Sequence, residues 1–492
     1  MGANSSFVGR GGGGARRRLA LTGALTAAAY LSILLFYVRG FQGYTRAARE
    51  VFIWLAVLPL LYLFRRGYLV VRDSGGEEAA STVVAFAALF CVTCALVYPF
   101  HSTDVFGYIN RGWQQAHYRL NPYVHTVAET PGWREDPMMW EHWIYNPNPY
   151  GFLFSLLARA LCLLGGGNWW ATLLLFKAVN AAAYAATGWL VWSGARHLGH
   201  RRPLLALYSF LWNPLVLLHH IANGHNDVLV GCLLALAVYL ALRGAVVWVL
   251  PVLAAATMLK YAPAVVVPAA LVYVFRKRGW GAAAAGCLLA ALVVAASAAP
   301  YAADWRQFRL EDIRDNATLI DNSLHSLLVH LYANAGRLFA PLAPYRGAAN
   351  SAVKAALRYG FLAFLAAAYL RFWRRATAAR LAELTALVLL VLLCVASSKF
   401  NAWYMGMVLP PALLLPERHW LRRLVLLVAC AQTLSLTFFK QAYMLNYLAM
   451  VVVPALVVFR QVRRERAAVR EDSPLLDLEP DALAGARPRD VV

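Results

Sequence analysis

Residues 79–112 read AASTVVAFAALFCVTCALVYPFHSTDVFGYINRG. The first part, 79 to 99, carries no charged side chain and is long enough to cross a hydrocarbon core of about 30 Å as a helix. The second part turns polar at once, with His101, Asp104, Tyr108, Asn110 and Arg111 in quick succession. An apolar span that delivers a carboxylate to its own mouth sets the two questions for the rest of the chain: how many such spans there are, and what gathers at their ends.

Over all 492 residues, 61% are hydrophobic and 14% charged, and the mean hydropathy is +0.54. A water-soluble globule cannot hide that much apolar surface, so the expected solvent is a bilayer. The reading is an all-α polytopic integral membrane protein of about fourteen transmembrane helices. Their expected limits are 18–38, 47–64, 79–99, 169–193, 203–222, 226–243, 245–258, 260–275, 279–298, 351–371, 381–397, 402–416, 420–438 and 443–459. The pair between 245 and 275 can also be read as one broken element.

Orientation follows from the cations, because short cytoplasmic loops retain Lys and Arg. Every alternate junction is basic: Arg16 to Arg18; Arg65, Arg66 and Arg72; Arg196, Arg201 and Arg202; Arg243; Arg276, Lys277 and Arg278; Arg371, Arg374, Arg375 and Arg380; Arg418, Arg422 and Arg423; and Arg460, Arg463, Arg464 and Arg466. The net charge of +22 is thus a topology signal rather than a nucleic-acid surface, and no nucleic-acid partner is expected. Both termini fall in the cytoplasm. This parity requires that the apolar stretch 150–164 lie along the outer interface instead of crossing.

The membrane-embedded region is read as 18–460, flanked by disordered cytoplasmic tails at 1–17 and 461–492 that are too polar or Gly-rich to bury a core. The first apolar run is too long for a signal-peptide core and ends at Arg39 without a cleavage site, so it is expected to stay as an anchor. All seven cysteines lie in apolar segments, which implies no disulfide framework; Cys91 and Cys94 read as small packing residues inside a helix.

Two outer loops, 100–168 and 299–350, are far longer than the others, and long loops in a compact protein are commonly functional. In the first, Asp104 stands at the outer mouth of the third span, with Tyr108 and Arg111 one and two turns onward if the segment is helical. A partly desolvated carboxylate there can act as a general base, although a helix cap would explain the same residue. Its company favours chemistry: Asn121-Pro-Tyr123, the Trp140-Glu-His-Trp143 run, and an Asn-Pro-Asn-Pro turn ending in Tyr150-Gly151 crowd the same face.

The run Asp104-Val-Phe-Gly-Tyr108 with Gly112 and Asn121-Pro-Tyr123 resembles the first outer loop of the GT-C glycosyltransferases, which take sugars from polyprenyl-phosphate carriers. Within them it is most like the bacterial polyprenyl-phosphomannose-dependent α-(1,6)-mannosyltransferases, with the eukaryotic GPI-anchor mannosyltransferases more distant. Asn213-Pro214 followed by Asn223-Gly-His225-Asn226-Asp227, Lys260 at the start of a Pro-containing span, and Lys399-Phe-Asn-Ala-Trp403-Tyr404 with Pro410 and Pro411 are similar to later motifs of the family. Together they cover most of residues 80–415. The family's first outer loop usually follows its first span, so the two spans ahead of it here read as an N-terminal addition.

The resemblance implies a GT-C-like fold and transfer of a sugar, with mannose as the implied one, from a polyprenyl phosphate to a glycolipid or glycan acceptor on the extracytoplasmic face of the plasma (inner) membrane. An inverting displacement from a phosphate leaving group needs one base and some cations. Asp104 is the expected base. Arg111, Lys260 and Lys399 are the expected phosphate ligands, since of six lysines only Lys277 lies in an expected inner loop, while Lys260, Lys399 and Lys440 sit at or near outer helix ends. Tyr108, Asn121, Tyr123, Tyr150, His225, Asn226, Asp227, Trp403 and Tyr404 are the expected substrate contacts. Beyond donor, acceptor and membrane lipids no partner or cofactor is expected. His219 and His220 precede His225 at a spacing that matches no established metal motif, so no metal is assigned.

Three features stay outside that scheme. Lys177 is a lone charge inside a span and therefore suspect as a functional residue. Asp312, Asp315, Asp321, Asn322 and His325 read as a solvated helix face, with acceptor binding as the alternative. Trp113, Trp133, Trp140, Trp143, Trp169 and Trp170 could stack on sugars, with Trp169 and Trp170 better read as an interfacial belt. The competing function is a transporter or flippase for a lipid-linked or polar solute. Such a protein should carry its polar site near the midplane on broken helices, whereas here the polar residues concentrate at outer helix ends.

Overall fold

The computed structural model describes residues 11–38, 45–74, 77–309, 323–436 and 443–471. Among them there is no β-strand, as a chain surrounded by lipid requires when backbone groups must bond within their own segment. The first ten helices are α1 (Gly11–Val38), α2 (Arg46–Ser74), α3 (Ala80–Leu96), α4 (Asp104–Ala116), α5 (Phe152–Gly165), α6 (Trp169–His197), α7 (Pro203–Leu211), α8 (Asp227–Leu242), α9 (Val249–Leu259) and α10 (Val267–Ala298). Then follow α11 (Leu324–Leu338), α12 (Arg346–Arg374), α13 (Ala378–Val391), α14 (Met405–Leu413), α15 (Trp420–Gln432), α16 (Tyr443–Tyr447) and α17 (Val453–Glu471).

Seven described helices are long and apolar enough to cross a membrane, and the count rises to eight if a bent pair is one span. This differs from the expected fourteen, and the reason is local. The stretch 203–222 bends by 51° between Pro203–Leu211 and Val216–Ala222, while Ala80–Leu96, Asp227–Leu242 and Val246–Leu259 are apolar but short. Gly279, at φ 76° and ψ −172°, breaks α10 into two rods at the basic Arg276-Lys277-Arg278 junction. The two rods correspond to the separate spans expected at 260–275 and 279–298, which the count of seven takes as one continuous stretch, Ala262–Gln307.

The large apolar core joins α1 to α3, α6 to α9 and α13 to α15, with Trp212, Tyr30, Tyr208 and Phe90 among its fully buried side chains. Facing away from it are Leu21, Leu25, Leu35, Leu55, Leu89, Val92, Leu288, Leu292, Leu362 and Leu370, all exposed. Exposed leucines along successive helix turns are what lipid-facing helices present. The basic junctions meet one another at one end of the bundle: Arg202 pairs with Glu417 at 2.9 Å, Arg423 with Glu465 at 2.8 Å, and Arg196 reaches Glu77 at 3.7 Å. At the other end of the same α6, Trp169 packs against Phe106 and Trp140 of the long loop 100–168.

That loop is ordered by its own small core of Val127, Trp133, Met139 and Ile144. Asp136 ties it to α4, accepting from Trp113 Nε1 at 2.7 Å and from the Tyr118 hydroxyl at 2.8 Å. The stretch expected at the outer interface forms α5, which lies against α4 so tightly that a Cβ on Gly112 would meet the Ala158 carbonyl oxygen at 2.5 Å. Leu163 and Leu164 on its far side are exposed.

His325 is not on a solvated face. It is buried and its Nε2 lies 2.7 Å from Asn350 Oδ1, while Asp312, Asp315, Asp321, Asn322, Lys440 and Arg39 fall outside the described residues.

Candidate functional site

Four segments far apart in sequence converge at the Trp169 end of the bundle: the start of α4, the turn between Ala222 and Asp227, the end of α9, and residues 399–404. The first supplies Asp104. Thr103 takes the cap position of α4, so Asp104 opens the helix itself, and its carboxylate turns toward side chains from elsewhere: Oδ2 lies 3.5 Å from His225 Nδ1 and Oδ1 lies 3.8 Å from His142 Nε2. An anion at this position also gains from the unpaired N–H groups of the first helical turn. Burial works to raise the Asp104 pKa, but the neighbouring His142 and His225 and the Lys399 charge outweigh it and hold the carboxyl well below the usual carboxylate range. The side chain nevertheless remains about one-fifth exposed, 21%, which is what access by a substrate requires.

The second segment brings His225, Asn226 and Asp227 to the same place. Gly224 makes the turn possible: its φ is +78°, and a Cβ there would crowd Val105 of α4 at 3.1 Å. His225 is fully buried and stacks on Trp403 with ring centroids 3.9 Å apart. Asn226 Oδ1 accepts from the Tyr108 hydroxyl at 3.4 Å, and Tyr108 meets Tyr150 edge to face at 5.1 Å. Lys260, at the end of α9, donates to Asp227 Oδ1 at 2.6 Å and sits 4.3 Å from the centre of the Tyr404 ring. Lys399 lies 5.5 Å from the Trp143 ring centre.

Several buried polar atoms in this cluster have no partner in the protein: His225 Nε2, His220 Nε2, Asn226 Nδ2 and Asp227 Oδ2. Leaving such groups unpaired costs about 1–3 kcal/mol each unless something else bonds them. Their concentration in one place is what a site for a polar ligand presents. A cleft lined by His101, Asn401, Trp403, Gln432 and Asn446 adjoins it.

Other expected contacts are placed one layer back. Arg111 is buried, and its guanidinium donates to three carbonyl oxygens, those of Gly107 (3.2 Å), Trp143 (3.2 Å) and Asn146 (3.0 Å). It thereby fastens a strained turn, because Trp143 has a φ of +49°, a conformation costly for a bulky residue. That turn carries His142. Asn121 closes a local turn by accepting from Tyr123 N and donates to Asp304 at 2.9 Å. Tyr123 donates its hydroxyl to the Tyr150 carbonyl at 2.9 Å and lies 2.8 Å from Ser155 Oγ. Both shape the loop rather than line the Asp104 cluster.

Of the tryptophans, Trp113 and Trp133 are taken up in the loop's own packing. Trp169 and Trp170 join Tyr98 in an aromatic cluster, and Trp140 and Trp143 stay half exposed. His142, inside the Trp140–Trp143 run, and Asn223, at the head of the Asn223-Gly-His225-Asn226-Asp227 motif, carry no role in the sequence pattern but are structural parts of the site. The Oδ1 of Asn223 accepts the backbone N–H groups of Phe100 at 2.9 Å and His101 at 2.8 Å. No group of three or more His, Cys, Asp or Glu arranged for a metal ion occurs among the described residues.

A family model described as "Alpha-(1->6)-mannopyranosyltransferase, N-terminal domain" matches residues 15–276. That range contains Asp104, Tyr108, His225, Asp227 and Lys260, and stops short of Lys399 and Trp403. Over 271 residues the chain is 27% identical to alpha-(1->6)-mannopyranosyltransferase A of Corynebacterium glutamicum, covering 53% of this chain and 52% of that protein. Over 173 residues it is 28% identical to alpha-(1->6)-mannopyranosyltransferase A of Mycobacterium tuberculosis, covering 35% of this chain and 33% of that protein. The chain thus matches about half the length of these relatives or less. With the family match spanning more than half of its own residues, the chain belongs to the alpha-(1->6)-mannopyranosyltransferase family.

Proposed function

We propose that this membrane protein transfers mannose from a polyprenyl-phosphate carrier to a hydroxyl of a glycolipid or glycan acceptor, by inverting displacement on the extracytoplasmic face. The observation that carries the reading is the meeting of one ionised carboxylate, Asp104, with two lysines and a set of buried, unpaired polar atoms at the end of the bundle away from the arginine-rich junctions. In the reaction, the acceptor oxygen attacks the anomeric carbon and the bond from that carbon to the phosphate oxygen breaks. The electron pair leaves with the polyprenyl phosphate, and the acceptor proton passes to Asp104. Lys260 and Lys399 offset the charge that develops on the phosphate. Asn226, Asp227 and His225 hold sugar hydroxyls, Trp403 and Tyr404 supply ring faces, and Tyr108 and Tyr150 close the floor. Arg111, Asn121 and Tyr123 hold the loop that brings His142 to Asp104.

The orientation rests on the arginine-rich junctions lying in the cytoplasm, which puts both termini inside and the Asp104 cluster outside. Against the transporter alternative, the Lys177 ammonium is bonded to the carbonyl oxygens that end α3.

The test incubates the purified protein in lipid vesicles with a panel of labelled polyprenyl-phosphate sugars and an α-mannoside acceptor. Label from the mannose donor should appear in an alkali-stable glycoside. Transfer of another sugar in preference to mannose, or net movement of the carrier across the vesicle without transfer, overturns the reading.

A further inference from the structure

Helix α6 carries two polar side chains one turn apart, Lys177 and Asn180, both buried in the protein interior. Residues three apart on a helix share a face. Lys177 sends its ammonium to the carbonyl oxygens of Ala95, at 3.1 Å, and Val97, which end α3. A cation at a helix C-terminus gains from the free carbonyls and the dipole there, which offsets part of the cost of burying it. Asn180 sends its amide to the carbonyl oxygens of His220, at 2.9 Å, and His225, at 3.1 Å. One lysine thus holds the connector that leads from α3 to Asp104, and one asparagine holds the turn that presents His225. Asn223 closes the figure from the other side, bonding Phe100 and His101 of the connector and donating to Leu218 at 2.7 Å.

We infer that Lys177 and Asn180 are positioning residues: α6 acts as a ruler that sets the connector bearing Asp104 and the turn bearing His225 at a fixed separation. The 3.5 Å approach of Asp104 to His225 joins two segments that no helix connects directly. Each is anchored to α6 through its backbone carbonyls, so the ruler fixes main chain rather than side chain. Geometry of reacting groups matters steeply, since a displacement of about 1 Å can cost on the order of a hundredfold in rate. The inference rests on the transferase reading for its consequence in catalysis, and on hydrogen bonding alone for its consequence in structure.

The experiment measures backbone hydrogen exchange by mass spectrometry on the full chain in lipid, together with donor kinetics. Lys177→Met should speed exchange in peptides covering residues 97–104 and leave 220–228 near wild type. Asn180→Ala should do the reverse. Both should lower kcat by roughly ten- to a hundredfold with donor KM unchanged, since neither touches the phosphate. If Lys177→Met does not accumulate, Asn180→Ala decides the matter at 220–228. Unchanged exchange in the matching segment, or a uniform rise over the whole chain, overturns the ruler. Matching local exchange with wild-type kcat overturns its role in catalysis. A wild-type protein that transfers no sugar sinks the transferase reading instead, and the exchange pattern still decides whether α6 holds the two segments apart.

Discussion

Lys260→Met makes the sharpest demand on the site. The ammonium lies 2.6 Å from Asp227 Oδ1 and Asp227 is fully buried, with Oδ2 already lacking a partner. Removing the cation leaves a buried carboxylate without its counter-ion, a change that typically costs about 3–5 kcal/mol. The Tyr404 ring against the ammonium adds about 0.5–2 kcal/mol to what is lost. The single variant should therefore melt well below wild type in detergent. Replacing both partners, Lys260→Met with Asp227→Leu, removes the stranded charge, and stability should return to near wild type because a well-packed apolar pair is often as stable as a buried ion pair. Transfer should not return, since the proposed reaction uses Lys260 for the phosphate and Asp227 for the sugar. Thermal unfolding and initial transfer rate on the same samples decide it. A single variant as stable as wild type refutes the burial argument, and a double variant with wild-type turnover refutes any part for the pair in chemistry.

Asp104→Asn keeps the shape of the side chain and gives up the anion's interaction with the first helical turn, about 0.3–1 kcal/mol, so it should fold and melt only slightly below wild type, yet lose transfer by roughly two to four orders of magnitude; near-wild-type turnover would remove Asp104 from the mechanism. The depressed pKa of Asp104 keeps the base ionised through the ordinary carboxylate range, so in wild type the acid limb of the rate profile lies below that range. His142→Phe removes one cause of the depression, and the limb should then move to higher pH, with transfer lost earlier as pH falls; an unmoved limb would separate His142 from the base. A cysteine placed at Gly132 should react with an impermeant thiol reagent added outside cells and one at Gly279 should not, and the opposite pattern would invert the topology.

The apolar spans, the alternation of basic junctions and the order of the motifs were legible in the sequence because each is a local property: hydropathy over one helix length, charge at its ends, and residue identity at fixed spacing. Asp104, Tyr108 and Lys260 stood out by those properties, while Trp403 was named through the resemblance of its motif to the family's. What sequence could not supply was which side chains face one another. It set Arg111 among the phosphate ligands, because an outer arginine near a carboxylate reads that way, but folding turns its guanidinium onto the carbonyls of Gly107, Trp143 and Asn146. It flagged Lys177 as a charge in a span and could not see the end of α3 that neutralises it, a partner about eighty residues away in the chain. The break at Gly279 was legible as the basic junction between the spans expected at 260–275 and 279–298, whereas the 51° bend between Leu211 and Val216 inside the expected span 203–222 was not, because packing and backbone conformation decide it and a hydropathy window is blind to both. The apolar segments, the basic junctions and the residue types gathered at the ends of the helices were thus written in local chemistry, whereas the pairing of Asp104 with His225 and His142 exists only because tertiary packing brings four distant segments to one end of the bundle.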